Sequence, residues 1–505
     1  MSNNSNANYL KREKKRKLSR FVEYKTATFA TGITFAIFLV ILGGSFDFAT
    51  QSFQMGSVTL SLVFLVSSII QGLVSYKIQS DILKHGDIKD STRKIGFVML
   101  LFLLTANIFI AIAAFTLVKK DKGIEYTLSI YALLTSLIVF MISALNLFKE
   151  YVANTFMLGM GLLAFLSMFY LAVMVLVHKF VHHKDVDKRM KWVGYLLILS
   201  AISGNVFALI LGLIIITKIK RAGDEISVEW IEVIRRLFRN NMAIIGMLVV
   251  TVLLSISLCS YLTFDYSIAT DNNYSALLQP PSIEYPFGTD DYGRCVFTRI
   301  VFGARISLAV GIATTVLPII VGGALGAVSV FYGGKTDNII MRLLDVLYAV
   351  PGILLAIAIV AAFGTSTSNL IIALSIGSVP TYARTVRASV MGLAGSEFVE
   401  AAKACGAKDH IIIFNHIIPN SLAPIIVRAT LSIGGAVLST SSLSYLGLGV
   451  EPHVPEWGNI LKAGSTYLET NPYLAIYPGL AIILLVLAFN YMGDGLRDAL
   501  DPKLK

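Results

Sequence analysis

The sequence is built largely from apolar runs of about 20 residues that carry few charges, such as 125–147 and 241–263. A helix of about 20 residues crosses the roughly 30 Å hydrocarbon core of a bilayer. Backbone polar groups in lipid must be satisfied within helices or a closed barrel. These runs are continuous rather than alternating, which excludes a barrel. Only 14% of the 505 residues are charged, against about 25% in a typical soluble domain. The pattern predicts an all-α polytopic membrane protein.

The apolar runs predict about twelve membrane spans, six on each side of a polar break at 218–240. Because Lys and Arg collect in cytoplasmic loops, most basic loops place the N- and C-termini in the cytoplasm. Two basic segments disagree with this threading, since residues 119–122 and 178–191 then fall outside. The expected spans are about 27–47, 56–75, 95–118, 125–147, 154–177, 192–217, 241–263, 303–331, 338–363, 366–388, 420–446 and 472–493.

We interpret the chain as four regions. Residues 1–25 form a basic cytoplasmic tail, and 26–220 form an N-terminal transmembrane domain of about six helices without a recognisable motif. The spacing of apolar and charged residues in 221–240 predicts an amphipathic helix at the membrane interface. Residues 241–505 form the second set of six spans. The net charge of +11 is explained by the tail and cytoplasmic loops, so we expect a lipid bilayer and no nucleic acid as partner.

The most informative motif lies in the polar segment 395–419, between two apolar runs. It begins with a short helix and continues past a glycine, a residue suited to tight turns. Small alanines permit close approach, and a glutamate offers a charge to a partner. The residues concerned are Glu400, Ala401, Ala402, Gly406, His416, Ile418 and Pro419.

This spacing resembles the coupling loop of permease subunits of ATP-binding-cassette (ABC) importers, and its ending His416-Ile417-Ile418-Pro419-Asn420 is similar to the branch that imports dipeptides, oligopeptides and nickel. We call residues 395–419 the coupling loop. The resemblance implies a type I importer permease fold for the last six spans, which would form half of a translocation pathway. It also implies a bacterial plasma membrane location.

The resemblance implies a set of partners as well. These are a second homologous permease, two ATPase subunits that dock on coupling loops, an external solute-binding protein and a peptide substrate. The chain itself would be a non-catalytic transport subunit that binds no cofactor directly, since ATP and magnesium would be used by the ATPase subunits.

A second motif occupies the external loop before the eighth span, and peptide and nickel permeases have a similar stretch there, usually with Asp where this chain has Cys295. Its glycines and first aspartate suit tight turns. Its arginines are expected to anchor the loop at the interface or to pair with Asp290 and Asp291. The motif residues are Gly288, Thr289, Asp290, Gly293, Arg294, Arg299 and Arg305.

Two further features belong to the last six spans. Arg342 and Asp345 are spaced to pair on one helix face, and Pro351 is expected to kink the same span; a gate-lining role and simple packing both fit them. Trp457, in the external Pro-Glu-Trp-Gly segment, is expected to be an anchor at the membrane interface.

Other readings of the sequence are weaker. Gly333-Gly334-Lys335-Thr336 lacks the first glycine and the preceding strand of a phosphate loop, and the histidines near 178–183 suit a solvated loop better than a metal site.

The main alternative is a twelve-helix secondary transporter driven by an ion gradient. It predicts acidic or histidine residues in mid-membrane and a repeat between the two halves. The main central polar candidates are instead Asn107, Asn205 and Asn490, and the two halves show no convincing repeat.

Overall fold

The structure, a computed structural model, describes residues 17–18, 21–47, 52–53, 55–99, 102, 107–118, 123–149, 152–181, 186–220, 228–408 and 411–501. The described residues are nearly all helical, which confirms the all-α fold class. The only β pairing between strands in this part is a two-stranded hairpin, Phe46–Asp47 with Ser52–Phe53. The chain divides into two compact units, Met1–Ile130 and Tyr131–Lys505.

In the described part of the first unit, two long helices are followed by two short ones. The helices are α1 (Val22–Gly44), α2 (Met55–His85), α3 (Asp90–Met99) and α4 (Ile108–Val118), and α5 (Ile124–Ala144) begins here and continues into the second unit. An apolar cluster that includes Ala27, Ile78, Met99 and Leu117 holds α1 to α4 together.

The second unit contains the remaining helices. Many are long enough to cross a bilayer, whereas α11, α16 and α17 are short and connect longer ones. The helices are α6 (Phe156–Phe180), α7 (Met190–Ser200), α8 (Val206–Lys220), α9 (Val228–Leu237), α10 (Asn241–Thr263), α11 (Ser267–Thr270), α12 (Val296–Tyr332), α13 (Gly334–Ala349), α14 (Gly352–Phe363), α15 (Thr367–Ala394), α16 (Glu397–Ala404), α17 (Ile418–Asn420), α18 (Leu422–Leu446), α19 (Trp457–Ser465) and α20 (Tyr473–Leu500).

Seven helices among the described residues are long and apolar enough to span a membrane, or eight if the bent pair α13 and α14 counts as one span. Two expected spans, 95–118 and 192–217, instead consist of two short helices each. In the second, the chain turns at Gly204, whose φ of 85° favours glycine. Asn205 Oδ1 then accepts the N–H of Ala208 (3.2 Å) and so begins α8.

The two pairs of short helices, α3 with α4 and α7 with α8, have the same internal contacts. An added β-carbon on Gly96 would meet Val118 Cγ2 and the carbonyl of Ala114, and one on Gly194 would meet Ile216 Cγ1 and the carbonyl of Gly212. Buried asparagines stand at equivalent places, since Asn107 Oδ1 accepts from Ile110 N (3.2 Å) as Asn205 does from Ala208 N. The corresponding residues are separated by one constant offset along the chain, so the N-terminal region contains an internal repeat.

Candidate functional site: the coupling loop and its supports

The first helix of the coupling loop, α16, ends in a tight left-handed turn at Gly406. Gly406 has φ 75°, its N–H donates to Lys403 O (2.9 Å), and the N–H of Ala407 donates to Ala402 O (3.1 Å). This pair of bonds is the Schellman arrangement, which satisfies carbonyls at a helix end and needs a residue with positive φ. The predicted glycine turn therefore has a defined geometry.

The helix α16 has a buried face and an exposed face. Val399 is buried in a cluster with Val386, Val390 and Ile412, so the helix is held against α15 and the π-helix Ile412–Ile417. The opposite face is open and combines carboxylates with small residues. Its exposed residues have the i, i+3, i+4, i+7 spacing of one helix side: Glu397, Glu400, Ala401 and Ala404.

The remaining predicted residues of the loop lie on α16 or on the helical segments that follow it. Ala402 and Ile418 are half-buried beside the same cluster. His416 lies in the π-helix and Pro419 in α17, whereas their side chains lie outside the described part of the chain. The described part of the coupling loop thus presents a helix face of carboxylates and small residues that is backed by a buried apolar cluster.

Two ion pairs connect α13 to α15, the helix that leads into the coupling loop. Asp337 accepts two bonds from Arg387, from Nε (2.7 Å) and Nη2 (2.6 Å). Asp345 accepts one from Arg384 Nη2 (2.6 Å). The expected pairing of Arg342 with Asp345 is wrong in the structure, because Arg384 of the neighbouring helix reaches Asp345, where it also lies over the Tyr348 ring (4.1 Å).

The predicted kink at Pro351 is present. Helices α13 and α14 meet there at an angle of 81°. Pro351 has an extended ψ of 123° and stands immediately before α14. Arg342, on α13 before this bend, is exposed.

The external motif is organised around Asp290. Its Oδ1 accepts the backbone N–H groups of Tyr292 (3.0 Å) and Arg294 (2.9 Å), and its Oδ2 accepts from Arg294 Nε (2.8 Å). Arg299, almost fully buried, lies 3.6 Å from the same Oδ2 and donates to Ala269 O (3.1 Å). Arg294 and Arg299 therefore pair with Asp290, as one of the two predicted arrangements requires, whereas Arg305 does not take part in this pairing.

The other motif residues shape the same loop. Gly288 and Gly293 have positive φ, and a β-carbon at Gly293 would lie 1.8 Å from Asn273 O. Thr289 Oγ1 donates to Ala276 O and accepts the N–H of Gln279 (2.8 Å). Arg305 stacks on the Tyr261 ring (3.4 Å).

Trp457 does not anchor the chain at the interface as expected. It is fully buried, and its Nε1 donates to Ile300 O (2.9 Å). The preceding residue, Glu456, is also buried; its Oε2 accepts the N–H of Gly458 (2.7 Å), and its Oε1 accepts from Ser441 Oγ (2.8 Å). Sequence analysis missed the capping role of this glutamate, although an acidic residue directly before a helix is a usable signal.

Comparison with known proteins identifies related chains. Residues 298–505 match the family described as binding-protein-dependent transport system inner membrane component, and residues 229–281 match the N-terminal TM domain of oligopeptide transport permease C. The dipeptide transport system permease protein DppC of Alkalihalophilus pseudofirmus is 48% identical over 276 residues, which cover 55% of this chain and 90% of the relative. The glutathione transport system permease protein GsiD of Pectobacterium atrosepticum is 42% identical over 280 residues, covering 55% of this chain and 93% of the relative.

Among solved structures, a chain of the MetNI methionine ABC transporter in an inward-facing conformation matches with 18% identity and a TM-score of 0.35, covering 40% of this chain and 97% of that chain. This likeness is too distant to support a structural argument. The matches to the permease family, in contrast, cover nearly the whole length of its members. They give no support to the ion-driven alternative. The chain belongs to the family of inner-membrane permease components of binding-protein-dependent transport systems.

Proposed function

We propose that this chain is the permease subunit of an ABC importer for short peptides and that its coupling loop docks on a cytoplasmic ATPase. The observation that carries the proposal is the exposed face of α16, with Glu397, Glu400 and two alanines on a helix fixed from behind by Val399. Related permeases are named for dipeptide and glutathione transport, which favours a short peptide over nickel as the cargo.

The proposed mechanism is mechanical. ATP binding closes two ATPase subunits, and the movement reaches the permease through α16. Val399 shares a buried cluster with Ile412 of the π-helix and with Val386 and Val390 of α15, so a displacement of α16 moves α15 through that cluster. The Arg387–Asp337 and Arg384–Asp345 pairs then pass the movement to α13 and its bend at Pro351.

The remaining partners complete the proposed assembly. A second homologous permease supplies the other half of the pathway, and a solute-binding protein delivers the peptide from outside. Magnesium and ATP act in the ATPase subunits. The coupling loop and both termini face the cytoplasm of a bacterium, in agreement with most of the basic loops.

Peptide uptake by reconstituted vesicles tests this function. The chain is assembled with its second permease, ATPases and binding protein, and uptake of a labelled dipeptide is followed with ATP or with a non-hydrolysable analogue. The proposal predicts uptake only with hydrolysable ATP and competition by other short peptides, glutathione included. Uptake of nickel but not of peptides, or uptake driven by an ion gradient without ATP, would contradict it.

A further inference from the structure

The short helices α7 and α8 form an antiparallel hairpin. Gly194 and Gly212 lie on opposite sides of the turn at Gly204, and a β-carbon on either glycine would touch the backbone of the other. The apolar stretch Met190–Ser203 and the 15-residue α8 are each about 21–22 Å long at 1.5 Å per residue. Neither reaches the roughly 30 Å needed to cross the hydrocarbon core.

The contacts of α10 fix which helix ends share one side of the membrane. Asn146, just after α5, donates from Nδ2 to Thr263 O at the end of α10 (2.7 Å). Thr155, just before α6, donates to Leu262 O (3.1 Å). Lys149, between them, donates to Thr298 Oγ1 in the external motif region. The end of α5, the start of α6 and the end of α10 therefore lie at one membrane surface.

Chain continuity then determines where the hairpin begins and ends. Helix α6 has 25 residues and α10 has 23, so each crosses the bilayer once. Because the start of α6 meets the end of α10, the end of α6 and the start of α10 lie together at the opposite surface. The segment from 181 to 240, which contains α7 and α8, therefore starts and finishes on the same side.

The hairpin tip lies partway along both spanning helices. A β-carbon on Gly204 would be 2.8 Å from Ser255 Cα, and Ser255 is about 21 Å along α10 from Asn241 and about 12 Å from Thr263 at 1.5 Å per residue. Tyr170, near the middle of α6, donates its hydroxyl to Ser200 Oγ (3.1 Å). The chain thus turns back within the bilayer, with buried Asn205 Nδ2 donating to Ala132 O of α5 (2.9 Å).

We propose that residues 190–220 are a re-entrant hairpin that enters and leaves the membrane on the cytoplasmic side and docks by its tip on α10. The described basic residues Lys179, Lys188, Arg189 and Lys191 are then cytoplasmic, which removes their conflict with the positive-inside rule. Asn146, Lys149 and Thr155 then lie on the external side, where they contact α10 and α12.

The internal repeat extends this proposal to α3 and α4. Gly96 packs against α4 as Gly194 packs against α8. Asn107 shares hydrogen bonds with Thr34 in the middle of α1 (3.3–3.4 Å). A second re-entrant hairpin places the start of α3 and the end of α4 on the same side of the membrane. The basic segment 119–122 itself lies outside the described part of the chain.

Labelling of single cysteines from either side of the membrane tests the topology. In the full chain with Cys259 and Cys295 replaced by serine, native Cys405 marks the coupling loop, where it is exposed. For the test positions Cys405 is also replaced, and cysteine is introduced as Lys188→Cys, Lys220→Cys or Val152→Cys, all at exposed sites. A membrane-impermeant maleimide is applied to inside-out and right-side-out vesicles, and only variants that are recovered from the membrane as folded, monodisperse protein are scored.

The proposal predicts that Lys188→Cys and Lys220→Cys label in the same vesicles as Cys405, whereas Val152→Cys labels in the opposite preparation. Labelling of Lys188→Cys and Lys220→Cys from opposite sides would show that 190–220 spans the membrane and would overturn the proposal. For the first hairpin, Lys89→Cys and Gly123→Cys should label from one side. This topology does not depend on the cargo, so failure of peptide uptake with correct labelling would refute only the proposed function.

Discussion

Gly406 is the residue on which the geometry of the coupling loop depends most. Its φ of 75° costs residues with a β-carbon about 1 kcal/mol, although no atom lies within 4 Å of an added β-carbon. We expect Gly406→Ala to reduce ATP-driven uptake about five-fold, since about 1.4 kcal/mol corresponds to a factor of ten, and Gly406→Asn to reduce it less. Gly392→Ala is the matched control, because Gly392 lies in α15 with equal space around it. Equal uptake by Gly406→Ala and Gly392→Ala would contradict this role.

Glu456 is expected to stabilise the packing around Trp457. Its carboxylate accepts backbone N–H groups at the start of α19 and the hydroxyl of Ser441. Glu456→Ala should lower the melting temperature of the purified protein, with a loss of at least about 1 kcal/mol from the cap. Glu456→Gln should cost less, because its amide oxygen still accepts the backbone groups and its NH2 donates to Ser441. An equal loss in both variants would argue against the hydrogen-bond explanation.

At the level of residues, local turns were predictable and partners from other helices were not. Gly288, Gly293 and Gly406 stand out because their neighbours have turn chemistry, and all three have positive φ. The pairing of Arg342 with Asp345 failed because spacing on one helix says nothing about Arg384, which is 39 residues away in the chain. The burial of Trp457 likewise depends on Ile300 and could not be derived from the Pro-Glu-Trp-Gly segment.

At the level of elements, the Asp337–Arg387 pair is expected to connect α15 to α13. Asp337→Ala should reduce uptake several-fold with little loss of folded protein, since a partly exposed pair contributes about 1 kcal/mol or less to stability. The exchange Asp337→Arg with Arg387→Asp should restore part of the uptake. The measurements are uptake and ATP hydrolysis in the same vesicles, and we expect hydrolysis to continue without matching transport. No recovery in the double exchange, with both proteins folded, would rule out the pair as a mechanical link.

Helix existence was easier to predict than helix continuity. The long runs 125–147, 154–177 and 241–263 agree with α5, α6 and α10 within a few residues. The hydropathy pattern predicted one continuous span over α7 and α8. The turn residues between them, Ser203, Gly204 and Asn205, are too few to lower the mean hydropathy of a window of about 20 residues. The sequence does carry a signal for these breaks. A glycine is followed eleven residues later by an asparagine twice, as Gly96 with Asn107 and as Gly194 with Asn205.

At the scale of the whole molecule, residues 131–220 are expected to support the permease rather than to dock the ATPase. Deletion of residues 1–220 should leave ATPase co-purification intact while lowering the melting temperature, because α10 loses the contacts at Leu262 and Thr263. Deletion of residues 1–122 keeps those contacts and should be better tolerated. Loss of ATPase binding in a folded 1–220 deletion would show that the N-terminal region takes part in docking.

The central claim is that this chain couples to an ATPase through α16, and affinity co-purification from native membranes tests it most directly. The tagged chain should bring along an ATPase and a second permease. Glu400→Arg with Gly406→Pro should lose the ATPase and keep the second permease, whereas Glu469→Arg, the same charge reversal at an exposed site outside the loop, should keep both. Recovery of the chain alone, or of the ATPase equally with all three proteins, would contradict the account.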